Sequence, residues 1–146
     1  MMILVTGGMG YIGSHTVVEL LNLNYEVVVV DNLSNSSILV KDRIKKITNK
    51  DFKFYNVDVT DKESLKKVFE ENKIDSIIHF AAFKAVGESV EKPLEYYENN
   101  LVGALVVFEL MKEFNVNNFV FSSSATVYGK PKSCPIKEDF SLSTTN

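Results

Sequence analysis

Short runs of β-branched and aliphatic residues alternate along this chain with longer stretches in which apolar positions recur at helical spacing. Ile3–Thr6, Glu26–Asp31, Lys53–Asn56, Ser76–Phe80 and Asn118–Ser122 read as strands. Most are nearly continuous apolar runs, as expected of strands covered on both faces. Between them, Tyr11–Asn22 carries Ile12, Val17, Leu20 and Leu21 on one side, and Val40–Ile47 repeats Val40, Ile44 and Ile47. Asp61–Asn72 buries Leu65, Val68 and Phe69 and is expected to open on a capping box of Thr60 with Glu63. The longest helix is predicted from Pro93, a favoured first residue, to about Phe114.

Strand and helix in alternation, joined by right-handed crossovers, predict an α/β fold. Its form is a doubly wound parallel sheet, Rossmann-like, of five strands in the order 3-2-1-4-5. From Gly129 the texture turns to Lys130-Pro131-Lys132-Ser133-Cys134-Pro135, and the last residues, Ser141 to Asn146, carry no periodic element. Residues 1–129 are therefore expected to form one nucleotide-binding domain and 130–146 a polar loop leading onward, the sheet being cut before its last strands.

Composition narrows the class. With 146 residues and 24% charged side chains the chain suits one soluble globular domain. A net charge of -3, with Lys and Arg scattered, makes no basic stripe, so no nucleic-acid partner is expected. The apolar runs fall far short of the roughly 20 residues of a membrane helix, and no membrane partner is expected. The start has no basic region or cleavage site, and the one cysteine, Cys134, fits a reducing compartment; a cytoplasmic protein is the expectation.

The chemistry sits at the strand ends. Ile3–Thr6 runs into Gly7-Gly8-Met9-Gly10-Tyr11-Ile12-Gly13, which opens a helix. Glycines permit the tight turn, let backbone amides approach a pyrophosphate, and let helix and strand pack closely. The helix N-terminus adds unpaired N–H groups and partial positive charge. Asp31 ends the second strand, where a carboxylate accepts the two ribose hydroxyls of an adenosine and repels a 2′-phosphate, so NAD is favoured over NADP. Asn32, Ser34, Asn35 and Ser36 serve equally as turn formers, and Asp58 equally as a strand-end cap or a ligand group. His79, inside an apolar strand, reads as a hydrogen-bonded core histidine, and His15 reads the same way. Asn99 interrupts a helix and needs a partner unless it faces solvent, while Ser124 reaches a ligand from a strand end unless it simply forms a turn. No metal site is expected.

Gly7, Gly10 and Gly13 after Thr6 resemble the short-chain dehydrogenase/reductases, and Gly10-Tyr11-Ile12-Gly13-Ser14-His15 is similar to their extended, nucleotide-sugar-modifying branch. Asp31-Asn32-Leu33, His79-Phe80-Ala81-Ala82, Lys84-Ala85-Val86-Gly87-Glu88-Ser89, Pro93-Leu94-Glu95-Tyr96-Tyr97 and Phe121 to Gly129 resemble the UDP-glucose 4-epimerase family. The resemblance implies NAD as cofactor, a UDP-sugar as substrate, a homodimeric full-length parent and a role in galactose metabolism. It implies that Tyr11 and Ile12 present backbone to the pyrophosphate and that Asp31, Asn35 and Ser36 hold the ribose. Asp58 and Val59 would frame the adenine, Phe80, Ala81, Ala82 and Lys84 would line the cleft, and Asn99 and Ser124 would lie near the nicotinamide. In that family a tyrosine takes the proton of the sugar 4-hydroxyl while hydride passes to NAD and returns to the other face of the sugar, Ser124 bonding the reacting oxygen.

That tyrosine belongs to a Tyr-x-x-x-Lys motif, whose spacing brings phenol and ammonium to one helix face. Tyr128 and Lys132 alone have this spacing, and Pro131 between them denies the helix. The true motif is expected beyond this chain, which alone is then inactive. Leu101, Val102, Leu105, Val106 and Phe108 form an apolar load that a further helix or a dimer partner would cover; without it the chain is expected to be marginally folded and to associate. Two alternatives stand beside the epimerase reading. A nucleotide-sugar 4,6-dehydratase would carry an Asp-Glu pair where Ala125-Thr126 stands, and a non-catalytic NAD-binding module would need no motif at all.

Overall fold

The computed structural model describes residues 1–143; Thr144 to Asn146, the end of the expected polar loop, lie outside the described residues. Five parallel strands form one sheet: β1 (Met2–Thr6), β2 (Glu26–Val30), β3 (Lys53–Tyr55), β4 (Ser76–His79) and β5 (Asn118–Phe121). Their order is β3-β2-β1-β4-β5, as the alternating pattern predicts. Asp31, Asn56, Phe80 and Ser122, read as strand ends, lie just past the paired ladders, where the chain turns away from the sheet.

Each central strand is apolar on both faces because both are covered. Leu4, Val28, Val30 and Ile77 pack with Leu65, Val68 and Phe69 of α3 (Lys62–Glu71) and with Val106, Val107, Leu110 and Met111 of a later helix. Ile3, Val5, Val27 and Val29 face the other way, onto Val17 and Leu21 of α1 (Tyr11–Asn22) and Ile44 of α2 (Leu39–Thr48). Each such side chain contributes roughly 1.5–3 kcal/mol relative to exposure. Register levels the carboxyl ends: Thr6 stands opposite both Val30 and His79, so the loops after β1, β2 and β4 leave the sheet side by side.

Several local expectations change. α3 is capped by Asp61, whose carboxylate accepts from the backbone amide of Ser64 at 3.1 Å and its hydroxyl at 2.6 Å, and not by a Thr60–Glu63 box. The hydroxyl of Thr60 donates instead to Asp58. Ile12 and Ile47 are exposed, and Thr48 is buried in place of Ile47, with its hydroxyl satisfied by the carbonyl of Ile44. A short helix, α4 (Val86–Glu91), was not foreseen. The long helix is three segments: α5 (Pro93–Tyr97), a π turn over Glu98–Val102, and α6 (Gly103–Glu113). On this rod Leu101, Val102, Leu105 and Phe108 are exposed, but Val106 is buried in the core and does not belong to that face. Beyond β5, a 3-10 turn (Ala125–Val127) ends at Tyr128, and Gly129 follows with a φ of 60°, so no helix joins Tyr128 to Lys132.

Candidate functional site

The site is built where β1 stops. Gly7 takes a φ of 68°, and a Cβ there would stand 2.7 Å from the backbone nitrogen of Ala81, so the turn after β1 and the loop after β4 touch through bare backbone. A side chain on Gly13 would collide with the carbonyl oxygen of Gly7. α1 therefore begins tight against the turn. Gly10 caps it without any side-chain bond, and its first turn holds no acidic residue. The amides of Tyr11, Ile12 and Gly13 donate to nothing among the described residues. Three free N–H groups at the positive end of a helix are a receptor for an anionic group such as a pyrophosphate.

Asp31 closes the other wall. It is buried, and its carboxylate accepts from the backbone of Met9 at 2.9 Å, from the backbone of Leu33 at 2.9 Å and from the Ser36 hydroxyl at 2.8 Å. The bond to Leu33 holds a non-glycine residue at a φ of 59°. A carboxylate offers about four acceptor positions, and three are taken here by Met9, Leu33 and Ser36.

Asn32 donates to Asp58 at 2.8 Å, and the other oxygen of Asp58 accepts the amide and the hydroxyl of Thr60. Burial raises the Asp58 carboxyl, but these hydrogen bonds outweigh it and hold the group below the usual carboxylate range. Asp58 thus spends its oxygens as a strand-end brace, while its neighbours Val57 and Val59 line the cleft.

One cleft joins these parts. Gly7, Gly10, Asp31, Asn32, Asn35 and Ser36 form one side; Val59, Phe80, Ala81, Ala82 and Asn99 form the other. It opens past Tyr11, Ile12 and Gly13 toward Lys84. Ser124 stands on an adjoining hollow that shares Ala82, Phe83 and Lys84. The Ser124 hydroxyl caps the 3-10 turn, accepting from the amide of Thr126 at 3.2 Å, and remains exposed. The residues selected from sequence therefore converge, with Asp58 just behind the wall.

The histidines separate. His79 is buried with its Nδ1 2.7 Å from the Thr6 hydroxyl, and burial pushes its imidazole down to about 4, so it is a neutral core residue at pH 7. His15 is exposed and meets Tyr11 edge-on at 5.1 Å, which overturns its reading as a core histidine. Position one turn into α1 places it on the solvent side.

Two residues escaped sequence reasoning. Asn100 accepts from the Phe83 amide at 2.8 Å and donates to the Phe83 carbonyl at 3.0 Å. Tyr96 donates to Glu88 at 2.8 Å and accepts from the amide of Ala85. The signal for Asn100 was the pair of adjacent asparagines inside the predicted helix. Among the described residues no group of three His, Cys, Asp or Glu side chains is arranged to hold a metal ion, and no helix is long and apolar enough to cross a membrane.

The sequence and the fold recur in known proteins. The family described as GDP-mannose 4,6 dehydratase matches residues 4–146. UDP-glucose 4-epimerase of Bacillus subtilis is 60% identical over 146 residues, which is 100% of this chain and 43% of that protein. The enzyme of the same name from Haemophilus influenzae is 63% identical over 147 residues, again 100% of this chain and 44% of the relative. A crystal structure of UDP-glucose 4-epimerase from Bifidobacterium longum in complex with NAD+ and UDP superposes with a TM-score of 0.97 at 52% identity, covering 99% of this chain and 43% of that one. That from Stenotrophomonas maltophila, with bound NAD and formylated UDP-arabinopyranose, gives 0.95 at 44%, covering 98% and 43%. The chain thus spans less than half the length of these relatives. Matched from its first strand to its last residue, and folded as these structures are, the chain belongs to the family described as GDP-mannose 4,6 dehydratase and is homologous over its full length to UDP-glucose 4-epimerases.

Proposed function

We propose that this chain binds NAD in the cleft between the glycine turn and Asn99, as the cofactor-holding part of an enzyme that interconverts UDP-galactose and UDP-glucose. The observation that carries this reading is the pairing of three free amides on α1 with the Asp31 carboxylate across one continuous cleft. The amides of Tyr11, Ile12 and Gly13 receive the pyrophosphate, and Asp31 with Asn35 and Ser36 receives the adenosine ribose. Val57 and Val59 flank the adenine, and Asp58 braces Asn32 behind it. Phe80, Ala81, Ala82 and Lys84 wall the path toward the nicotinamide, where Asn99 and Ser124 stand.

NAD, when bound, supplies the acceptor and donor of hydride for the sugar carbon. Ser124 hydrogen-bonds the reacting sugar oxygen. The proton of that oxygen needs a base, and no Tyr-x-x-x-Lys pair lies on a helix among the described residues, so these 146 residues alone bind without turnover. Residues 1–129 act as the binding unit and 130–146 as its polar extension. The surroundings we propose are cytoplasmic, which suits the exposed and unpaired Cys134. The parent enzyme acts in galactose metabolism as a homodimer.

A 4,6-dehydratase reading draws on the family description, but elimination of water needs an acid and a base after the serine. Ala125 and Thr126 there offer a methyl and a hydroxyl, neither of which titrates near neutrality. Calorimetry with NAD, beside a UDP-galactose turnover assay in the same buffer, tests the proposal. NAD binding without turnover is the expected result. Turnover would return Tyr128 to the chemistry, and no binding would refute the cofactor reading.

A further inference from the structure

The π turn over Glu98–Val102 widens the rod just where two asparagines meet the loop after β4. Such turns inside α-helices are frequent at functional sites, where they displace side chains that a regular helix would aim elsewhere. Here the carboxamide of Asn100 reaches Phe83 and that of Asn99 reaches Asn100. Asn100 faces the Phe83 backbone with its Oδ1 2.8 Å from the N–H and its Nδ2 3.0 Å from the carbonyl. Only one orientation of the amide satisfies this, since the reverse sets donor against donor and acceptor against acceptor.

That fixed oxygen then governs its neighbour. Asn99 donates from Nδ2 to Oδ1 of Asn100 at 2.9 Å, and an oxygen already accepting from Phe83 has only its remaining lone pair to give. Asn99 must therefore turn its NH2 inward. Its own Oδ1 accepts nothing among the described residues, and Asn99 lines the cleft.

We infer that Asn100 is a positioning residue that fixes the amide of Asn99 so that it meets the ligand as a hydrogen-bond acceptor. The inference rests on the NAD reading for the identity of the ligand, and it specifies that the facing group of the cofactor is a donor, a hydroxyl or a carboxamide N–H. The relay begins in backbone: Phe83 sets Asn100, and Asn100 sets Asn99. Loop position and cofactor contact are in this way one unit, because the segment carrying Phe83 also supplies Phe80, Ala81 and Ala82 to the cleft wall.

The test is a double-mutant cycle read by NAD calorimetry on Asn99→Ala, Asn100→Ala and the double variant, with side-chain amide NMR of Asn99. Each single change is expected to weaken NAD binding about three- to tenfold, the worth of one hydrogen bond. The double variant should bind no more weakly than Asn99→Ala, because a residue that acts through Asn99 has nothing left to orient. Multiplying effects, or unchanged NAD affinity in a folded Asn100→Ala chain, would overturn the inference. Where Asn100→Ala fails to fold, the wild-type spectrum decides: Asn99 side-chain protons protected from exchange support the relay, and freely exchanging ones refute it. Where the wild type binds no NAD, the cofactor reading fails by itself, and the same spectrum still judges the orientation of Asn99.

Discussion

The Nδ1 atom of His79 lies 2.7 Å from the hydroxyl of Thr6, joining the carboxyl ends of β4 and β1 inside the core. Burial holds that imidazole at about 4, below the ordinary 6.5 that the unfolded chain retains. The unfolded chain therefore takes up the proton first. Stability is fully present above about pH 6.5, falls as the pH drops toward about 4, and levels below it; the full loss is about 3 kcal/mol. Urea unfolding of wild type and His79→Gln at pH 7 and at about 4.5 checks this. The variant, lacking a titrating ring, should lose less on acidification, and an identical pH dependence would assign the titration to other groups.

Asp31→Asn removes the charge and one acceptor from a group that binds Met9, Leu33 and Ser36 at once. NAD binding should weaken roughly 10- to 100-fold, as for a lost hydrogen bond to a charged group. The gap between NAD and NADP should narrow, since the carboxylate no longer repels a 2′-phosphate. Parallel titrations with both cofactors measure it. Wild-type chain that binds the two equally would remove Asp31 from the ribose site.

Gly7→Ala asks an ordinary side chain to hold a φ of 68° with its Cβ 2.7 Å from the nitrogen of Ala81. A loss of at least about 2 kcal/mol is expected in denaturant unfolding. Gly87→Ala is the contrast: a Cβ there meets nothing within 4 Å, and alanine gains roughly 0.5–1 kcal/mol of helix propensity in α4. Similar losses at both positions would mean that the close approach of the two loops is not what fixes Gly7.

Leu101 and Leu105 are 55% and 59% exposed beside Phe108 on the rod that follows α4. Sedimentation of the chain should reveal self-association, relieved by Leu101→Glu with Leu105→Glu at little cost in stability, since neither side chain is in the core. A clean, cooperative monomer at high concentration would count against a sticky face.

The sheet was legible because Val27 to Val30 and Ile3 to Val5 are apolar at every position, which only a doubly covered strand allows. The glycine turn was legible because strand, turn and helix follow one another in sequence. What escaped depends on partners that periodicity does not record. Asp61 outcompetes Thr60 as a cap because Ser64 supplies both an amide and a hydroxyl to its carboxylate. The π turn leaves the apolar rhythm of the rod nearly intact, so the segments on either side read as one helix. Asp58 and Asn100 are read only in three dimensions: one turns to Asn32 and Thr60, and the other reaches the backbone of Phe83, 17 residues back.

The contact of Thr6 with His79 spans 73 residues of sequence. On a ribosome adding about 5–20 residues per second, the glycine turn is made roughly 4 to 15 s before the strand that braces it. Over that interval β1 can pair with β2 and α1 can form, but the floor supplied by Ala81 does not yet exist. The cleft is thus the late product of synthesis, and a nascent chain shows its free amides to the cell before it has a pocket to put around them.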